Sequence, residues 1–146
     1  MRRRTFLTIP ALAMLPASFA ARAAAPAVHV HKGPGCECCN AWIEHLRTNG
    51  FSVTSDDRGN NAVRAKVGIP SKLGSCHTAI VDSYAIEGHV PASDIKRLLA
   101  ERPKAVGLAV PGMPIGSPGM EMGDRRDPYE VLLVRHDGTT AVFAQR

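Results

Sequence analysis

Val28-His29-Val30-His31-Lys32-Gly33-Pro34-Gly35-Cys36-Glu37-Cys38-Cys39-Asn40-Ala41-Trp42 is the stretch on which the reading of this chain turns. Val28 to His31 alternates apolar and polar side chains, the period of a half-buried strand, and Gly33-Pro34-Gly35 ends it. A helix is expected from about Cys38 to Thr48, with Trp42, Ile43 and Leu46 on its buried face and Asn49-Gly50 as its stop. Three of the four cysteines therefore crowd one strand-to-helix junction. The fourth, Cys76, stands in Gly74-Ser75-Cys76-His77-Thr78, so every thiol belongs to one of two short segments.

Outward from the junction, Phe51 to Thr54 reads as a second strand. Asn60 or Asn61 is expected to cap a short helix through Val63 and Val67, ended by Gly68-Ile69-Pro70. Thr78 to Val81 and Tyr84 to Glu87 form a strand pair across Asp82-Ser83. Ser93 then caps a helix carrying Ile95, Leu98 and Leu99, which Pro103 terminates. The order strand, helix, strand, helix, strand, strand, helix is that of a thioredoxin-like α/β domain, with Cys36 and Cys39 in its Cys-x-x-Cys place. Beyond Pro103, Val110 to Met122 is a Met/Pro/Gly-rich loop with too many backbone breakers for a helix or central strand. A hairpin extension follows, from Tyr129 to Arg135, through an Asp137-Gly138 turn, to Thr140 to Phe143.

The amino terminus sets the compartment. Basic residues at Arg2-Arg3-Arg4, an apolar stretch from Phe6 to Ala20 and small residues around Ala21-Arg22-Ala23 make the pattern of a secretory signal peptide over 1–23, leaving 24–146 as the mature domain. The apolar stretch, about 15 residues, falls short of the roughly 20 that a spanning helix needs, so no stable membrane insertion is expected after cleavage. Arg3-Arg4-Thr5-Phe6-Leu7 also resembles the twin-arginine signal that exports folded proteins. The whole chain has 18 Lys and Arg against 13 Asp and Glu; segment 1–23 holds four arginines and no acid, leaving 14 against 13. The apparent basicity belongs to export, and with no basic stripe or aromatic platform in the mature part no nucleic-acid partner is expected.

At a helix start, unpaired amides and the helix dipole favour negative charge, so Cys36, Cys38 and Cys39 are expected to ionise readily to thiolates. Thiolates bind soft metals and attack disulfides. A pair of structural disulfides is the plain alternative for an exported domain, although adjacent Cys38 and Cys39 cannot join without strain. Zinc sites usually pair two separated Cys-x-x-Cys knuckles; three sulfurs on one turn with a fourth from elsewhere suit bridged ions better. Thiolate and thioether donors select Cu(I), and Met113, Met120 and Met122 place neutral soft donors in the nearby loop, where ordinary apolar packing is the alternative.

Gly35-Cys36-Glu37-Cys38-Cys39, Ser75-Cys76-His77-Thr78-Ala79, Glu87-Gly88-His89-Val90-Pro91-Ala92, and Pro111-Gly112-Met113-Pro114 with Gly116-Ser117-Pro118-Gly119-Met120-Glu121 resemble, in this order, the motifs of the bacterial copper-resistance CopG family, long catalogued as a domain of unknown function. The likeness covers nearly all of the mature chain. It implies a periplasmic, thioredoxin-like protein that binds copper through its cysteines, is often encoded with copper-export machinery and has a proposed role in copper redox or copper handling. The ligand positions it implies are Cys36, Cys38, Cys39 and Cys76, with Met113 and Met120 facing them.

Side chains near the motifs carry their own expectations. His77, one step along a strand from Cys76, is expected to point to the opposite face. His89 is expected to order its loop by hydrogen bonding, with support of a metal ligand as the sharper role. His29 and His31 share one strand face and could form an independent surface site, but solvated rings are the simpler expectation, as for His45 and His136. Glu37 reads as a solvated helix-start carboxylate. The sequence thus points to an exported protein holding Cu(I) through a cysteine cluster. Two rivals stay open: a thiol-disulfide oxidoreductase in which Cys36 attacks and Cys39 resolves, and a disulfide-stapled structural protein. Ser75-Cys76-His77 stands where a thioredoxin carries a proline facing its cysteines, and a thiol there suits ligation more than exchange.

Overall fold

The computed structural model describes residues 24–146, and the expected signal peptide over 1–23 lies outside them. In chain order the elements are β1 (Ala27–Lys32), α1 (Glu37–Thr48), β2 (Ser52–Asp56), α2 (Asn61–Val67), a 3-10 turn (Ser71–Leu73), β3 (His77–Val81), β4 (Tyr84–Glu87), α3 (Ala92–Glu101), β5 (Gly107–Ala109), β6 (Glu130–Val134) and β7 (Thr140–Gln145). The seven strands make one mixed sheet in the order β2-β1-β3-β4-β5-β6-β7. β1 runs parallel to β2 and β4 to β5, and the other neighbours are antiparallel.

Period-two alternation sorts the sheet's side chains into two layers. Val30, Ala79, Ile86 and Leu108 stand in register across β1, β3, β4 and β5. They belong to the larger core, with Trp42, Ile43 and Leu46 of α1 and Ile95 and Leu98 of α3. On the other face, Ile80, Ala85, Ala109 and Val134 pack with Ile69 and Leu73 in a smaller cluster beneath α2 and the 3-10 turn. The same second face carries a polar row, Asp56, His31, Thr78 and Glu87, aligned strand to strand.

The expected elements are present with three changes of substance. Asn60 precedes α2, but its side chain makes no cap; its amide donates to Ser75 O (3.3 Å) and Thr78 Oγ1 (3.2 Å). Ser93 lies inside α3, because Pro91 is pre-set for the N-cap position and His45 Nε2 accepts from the first helical amide, Ala92 N, at 3.0 Å. His45 is thus half-buried and engaged, not solvated, and burial lowers its pKa. The third change is β5. This strand was not expected, and by pairing with both β4 and β6 it joins the C-terminal hairpin to the main sheet instead of leaving it as an appendage.

The hairpin is also fastened from above. Arg146, at the end of the chain, forms an ion pair with the buried Asp94 in the first turn of α3. Arg97 donates to Phe143 O at 2.9 Å and stacks on the Phe143 ring at 3.9 Å, a cation–π contact. Among the described residues, no helix is long and apolar enough to cross a membrane.

β5 passes so close to β4 that a Cβ on Gly107 would lie 1.7 Å from Ala85 O. Gly107→Ala is therefore expected to destabilise the domain by about 3 kcal/mol or more, read as a lower urea midpoint; an unchanged midpoint would contradict the tight β4–β5 approach.

Candidate metal centre

Gly35, at φ +70°, turns the chain into α1, and Cys36 takes the N-cap position with extended backbone and no side-chain cap bond. Cys38 and Cys39 follow in the first helical turn. Cys76 ends the segment entering β3. The two segments meet: Cys38 Sγ lies 3.6 Å from Cys36 Sγ and 3.7 Å from Cys76 Sγ, and all four sulfurs lie within 4.8 Å of one another.

Their oxidation state differs from the expectation of free thiolates. Cys36 and Cys39 are joined in a disulfide, while Cys38 and Cys76 are free. Cys-x-x-Cys on a first helical turn sets the Cα atoms 5.3 Å apart, inside the range that a disulfide bridges without moving the backbone. The pair of disulfides considered from sequence is likewise reduced to one.

Two histidines complete the cluster. His77 is buried, and its Nδ1 lies 3.4 Å from Cys76 Sγ. The alternation rule failed because Cys76 precedes β3, so the two residues are not successive strand positions. The His77 ring packs on Trp42 with centroids 4.3 Å apart. Its Nε2 is a buried polar atom without a hydrogen-bond partner among the described residues. Burial, with His89 adding to it, pushes the pKa of His77 down to about 3, so the ring is neutral.

His89 is the member of the cluster that the sequence understated. Its Nδ1 lies 2.8 Å from Pro118 O, and its Nε2 lies 3.0 Å from Cys76 Sγ. A carbonyl only accepts, so Nδ1 carries the proton and Nε2 of the neutral ring turns a lone pair toward the sulfur. Burial lowers the pKa of His89, which favours the neutral ring over an imidazolium that would stabilise a thiolate. Cys76 accordingly behaves as a thiol: burial first, and then Cys38, push its pKa up to about 12. Its position inside Glu87-Gly88-His89-Val90-Pro91-Ala92 was the available signal.

The Met/Pro/Gly loop closes over the same place. A Cβ on Gly119 would fall 2.7 Å from Cys38 O and 2.8 Å from Trp42 N, so only glycine lets the loop approach the α1 start this closely. Met120, half-buried, comes next. Met113 is 51% exposed and lines a shallow depression with Cys76, Ser75, Gly112 and Arg64. Met122 is exposed, as is Glu37, in keeping with a solvated carboxylate.

Soft sulfurs, neutral imidazole nitrogens and nearby thioethers form a donor set suited to a soft ion. With the disulfide closed, Cys38, Cys76 and His89 remain as available donors; opening it supplies two more sulfurs.

A family model described as a protein of unknown function, DUF411, matches residues 73–120. Two solved structures resemble the chain: "Copper resistance protein copG- Form 1", 49% identical with a TM-score of 0.79, and its Form 2, 48% identical with a TM-score of 0.79. Each comparison covers 84% of this chain and 98% of the solved one. Among curated proteins there is no match.

Iodoacetamide at pH 8 is expected to modify Cys76 roughly 100- to 1000-fold more slowly than an unperturbed cysteine, because the reactive thiolate is depopulated. Peptide mapping of timed samples reads the rate, and a rate equal to that of a small-molecule thiol would contradict the buried, protonated Cys76.

Proposed function

This chain belongs to the family of the copper resistance protein CopG, and from that premise and its clustered sulfurs we propose that it is an exported, periplasmic protein that holds Cu(I) for copper resistance or homeostasis. The observation that carries this reading is the convergence of four sulfurs within 4.8 Å, two from the helix start, one from its N-cap and one from the distant β3 edge. Cys36, Cys38, Cys39 and Cys76 are the proposed ligands. Met113 and Met120 are proposed as neutral soft donors from the overlying loop, and the His89 lone pair adds a nitrogen that the sequence reading had not counted as a ligand.

Copper here is cargo. Holding it through all four sulfurs requires two electrons and two protons to open the Cys36–Cys39 disulfide, which a dithiol reductant supplies. We read the first four strands as thioredoxin-like: β1 lies between parallel β2 and antiparallel β3, β3 pairs with antiparallel β4, and Cys-x-x-Cys opens α1. The basic and apolar start of the chain supports export to the periplasm, where a copper-export system is the proposed partner. A second reading, a thiol-disulfide oxidoreductase with Cys36 attacking and Cys39 resolving, is favoured by the disulfide itself.

Anaerobic titration of the reduced chain with Cu(I) separates the readings. The variant with all four cysteines changed to serine is expected to retain almost no copper; equal copper in both chains removes the proposal. Cys76→Ser is expected to weaken Cu(I) binding by about tenfold or more while leaving the Cys36–Cys39 pair able to exchange. Insulin reduction by the native chain without copper retention would install the oxidoreductase reading instead. Met113→Leu with Met120→Leu is expected to cost a smaller, severalfold loss of affinity, since thioether ligands carry no charge.

A further inference from the structure

On the sheet face opposite α1, three side chains that the thiol chemistry does not use converge at the β1–β2 edge. His31 Nδ1 lies 2.8 Å from Asp56 Oδ2, and His29 Nε2 lies 3.1 Å from the same oxygen. The three candidate donor atoms all fall within 4.8 Å of one another. We propose that His29, His31 and Asp56 form a second metal site for a divalent first-row ion, Cu(II) foremost, distinct from the thiol cluster.

The fold builds this cluster by register. His29 and His31 are two residues apart on β1 and so share a face, and β2 pairs in parallel with Thr54 beside His29 and Asp56 beside His31. Val28 and Val30, between and beside them, point the other way into the larger core. The rings meet edge to face with centroids 4.7 Å apart. β1 continues through Gly33-Pro34-Gly35 to Cys36, but alternation keeps the imidazoles on the face away from α1, so the two sites take separate ions.

The spacing matches coordination. Ligands about 2.0–2.1 Å from an ion and at right angles to each other lie about 2.9 Å apart, close to the 2.8 Å and 3.1 Å nitrogen–oxygen separations here. Thr54 Oγ1, 2.8 Å from His29 Nδ1, supplies the partner that orients a ligating imidazole. In the tautomer whose Nδ1–H donates to Thr54, Nε2 turns a lone pair toward a carboxylate oxygen, and a cation between them relieves the repulsion.

Arg58 is the present competitor, with Nη2 at 3.2 Å from Asp56 Oδ2 and Nε at 3.4 Å from Oδ1. Its side chain is 84% exposed, and an ion pair so exposed gives way at little cost. His29, at 44% exposed, leaves the site open to an arriving ion. Two imidazoles and one carboxylate, with no sulfur, suit Cu(II), Ni(II) or Zn(II) and not Cu(I), and Cu(II) binds tightest of the series. The inference does not rest on the copper reading of the cysteines.

The test uses the full chain with its four cysteines changed to serine, so that no thiol can bind or reduce the probe, and adds Cu(II). One equivalent is expected to give an electron paramagnetic resonance spectrum with splitting from two nitrogens. His29→Gln with His31→Gln in that chain should erase the splitting and weaken binding roughly 100-fold or more, and Asp56→Asn about tenfold. An unchanged spectrum in the double variant overturns the site. In the chain with native cysteines, the same histidine changes should leave Cu(I) retention intact, so failure of the thiol reading is seen separately. Should the serine chain prove unfolded by circular dichroism, the native oxidised chain is titrated with Zn(II) and the His29 and His31 ring signals followed by NMR. Movement of both rings supports the site; stationary rings at saturating Zn(II) overturn it.

Discussion

The 2.8 Å hydrogen bond from His89 Nδ1 to the Pro118 carbonyl decides the chemistry at the other end of the ring. Because the carbonyl fixes the proton of the neutral ring on Nδ1, Nε2 then faces Cys76 as an acceptor, and the sulfur keeps its proton until something stronger displaces it. The same bond fastens the Met/Pro/Gly loop, since Pro118 precedes the glycine that nests against Cys38 O and Trp42 N. Trp42 in turn donates to Val90 O at 2.9 Å, next to His89. Three segments far apart in sequence therefore close one ring of contacts around the sulfurs, and no segment can shift without disturbing the other two.

Cys76 is positioned from behind by a buried ion pair. Glu87 is fully buried and accepts from Arg64 Nε at 2.8 Å, Ser75 N at 2.7 Å and Thr78 Oγ1 at 2.6 Å. Arg64 Nη2 also donates to Ser75 O at 2.8 Å, so both backbone groups of the residue before Cys76 are held. Burial still pushes the Glu87 pKa up, which means these donors only partly offset desolvation. Such a pair is weak support for stability; its value here is geometric, because an apolar substitute would fill the space and leave Ser75 unheld. Gly88 serves the same end, as a Cβ there would sit 2.5 Å from Val110 O.

Much of this was legible in the residues. Alternation and punctuation located every strand of the first half, and the Cys-Glu-Cys-Cys junction with Cys76 pointed to one cluster. What escaped was tertiary in origin. β5 is three residues of Gly-Leu-Ala, too short to show a period, and exists because β4 and β6 offer edges on both sides. Ser93 and Asn60 carry good capping chemistry, yet His45 and the Ser75 carbonyl decided their roles from other elements. His29 and His31 read as solvated because Asp56, their partner, arrives from β2, and single-strand periodicity says nothing of what the neighbouring strand brings.

If the chain holds soft metal as proposed, the Cys36–Cys39 bond also limits its capacity. Closed, it leaves Cys38, Cys76 and His89 as two sulfurs and a nitrogen, enough for one ion; open, it doubles the sulfur count on the same few ångströms of surface. Four sulfurs within 4.8 Å cannot each serve a separate ion, so under the proposed copper reading added ions would share them. Sharing suits thiolates, which bridge and spread their charge between cations. On this reading the number of ions held follows from the electrons on one disulfide, while the rest of the framework, fixed by the His89 and Glu87 contacts, does not need to move. Under the proposed reading, a redox change confined to two residues at the start of α1 would be sufficient to alter how much soft metal the chain holds.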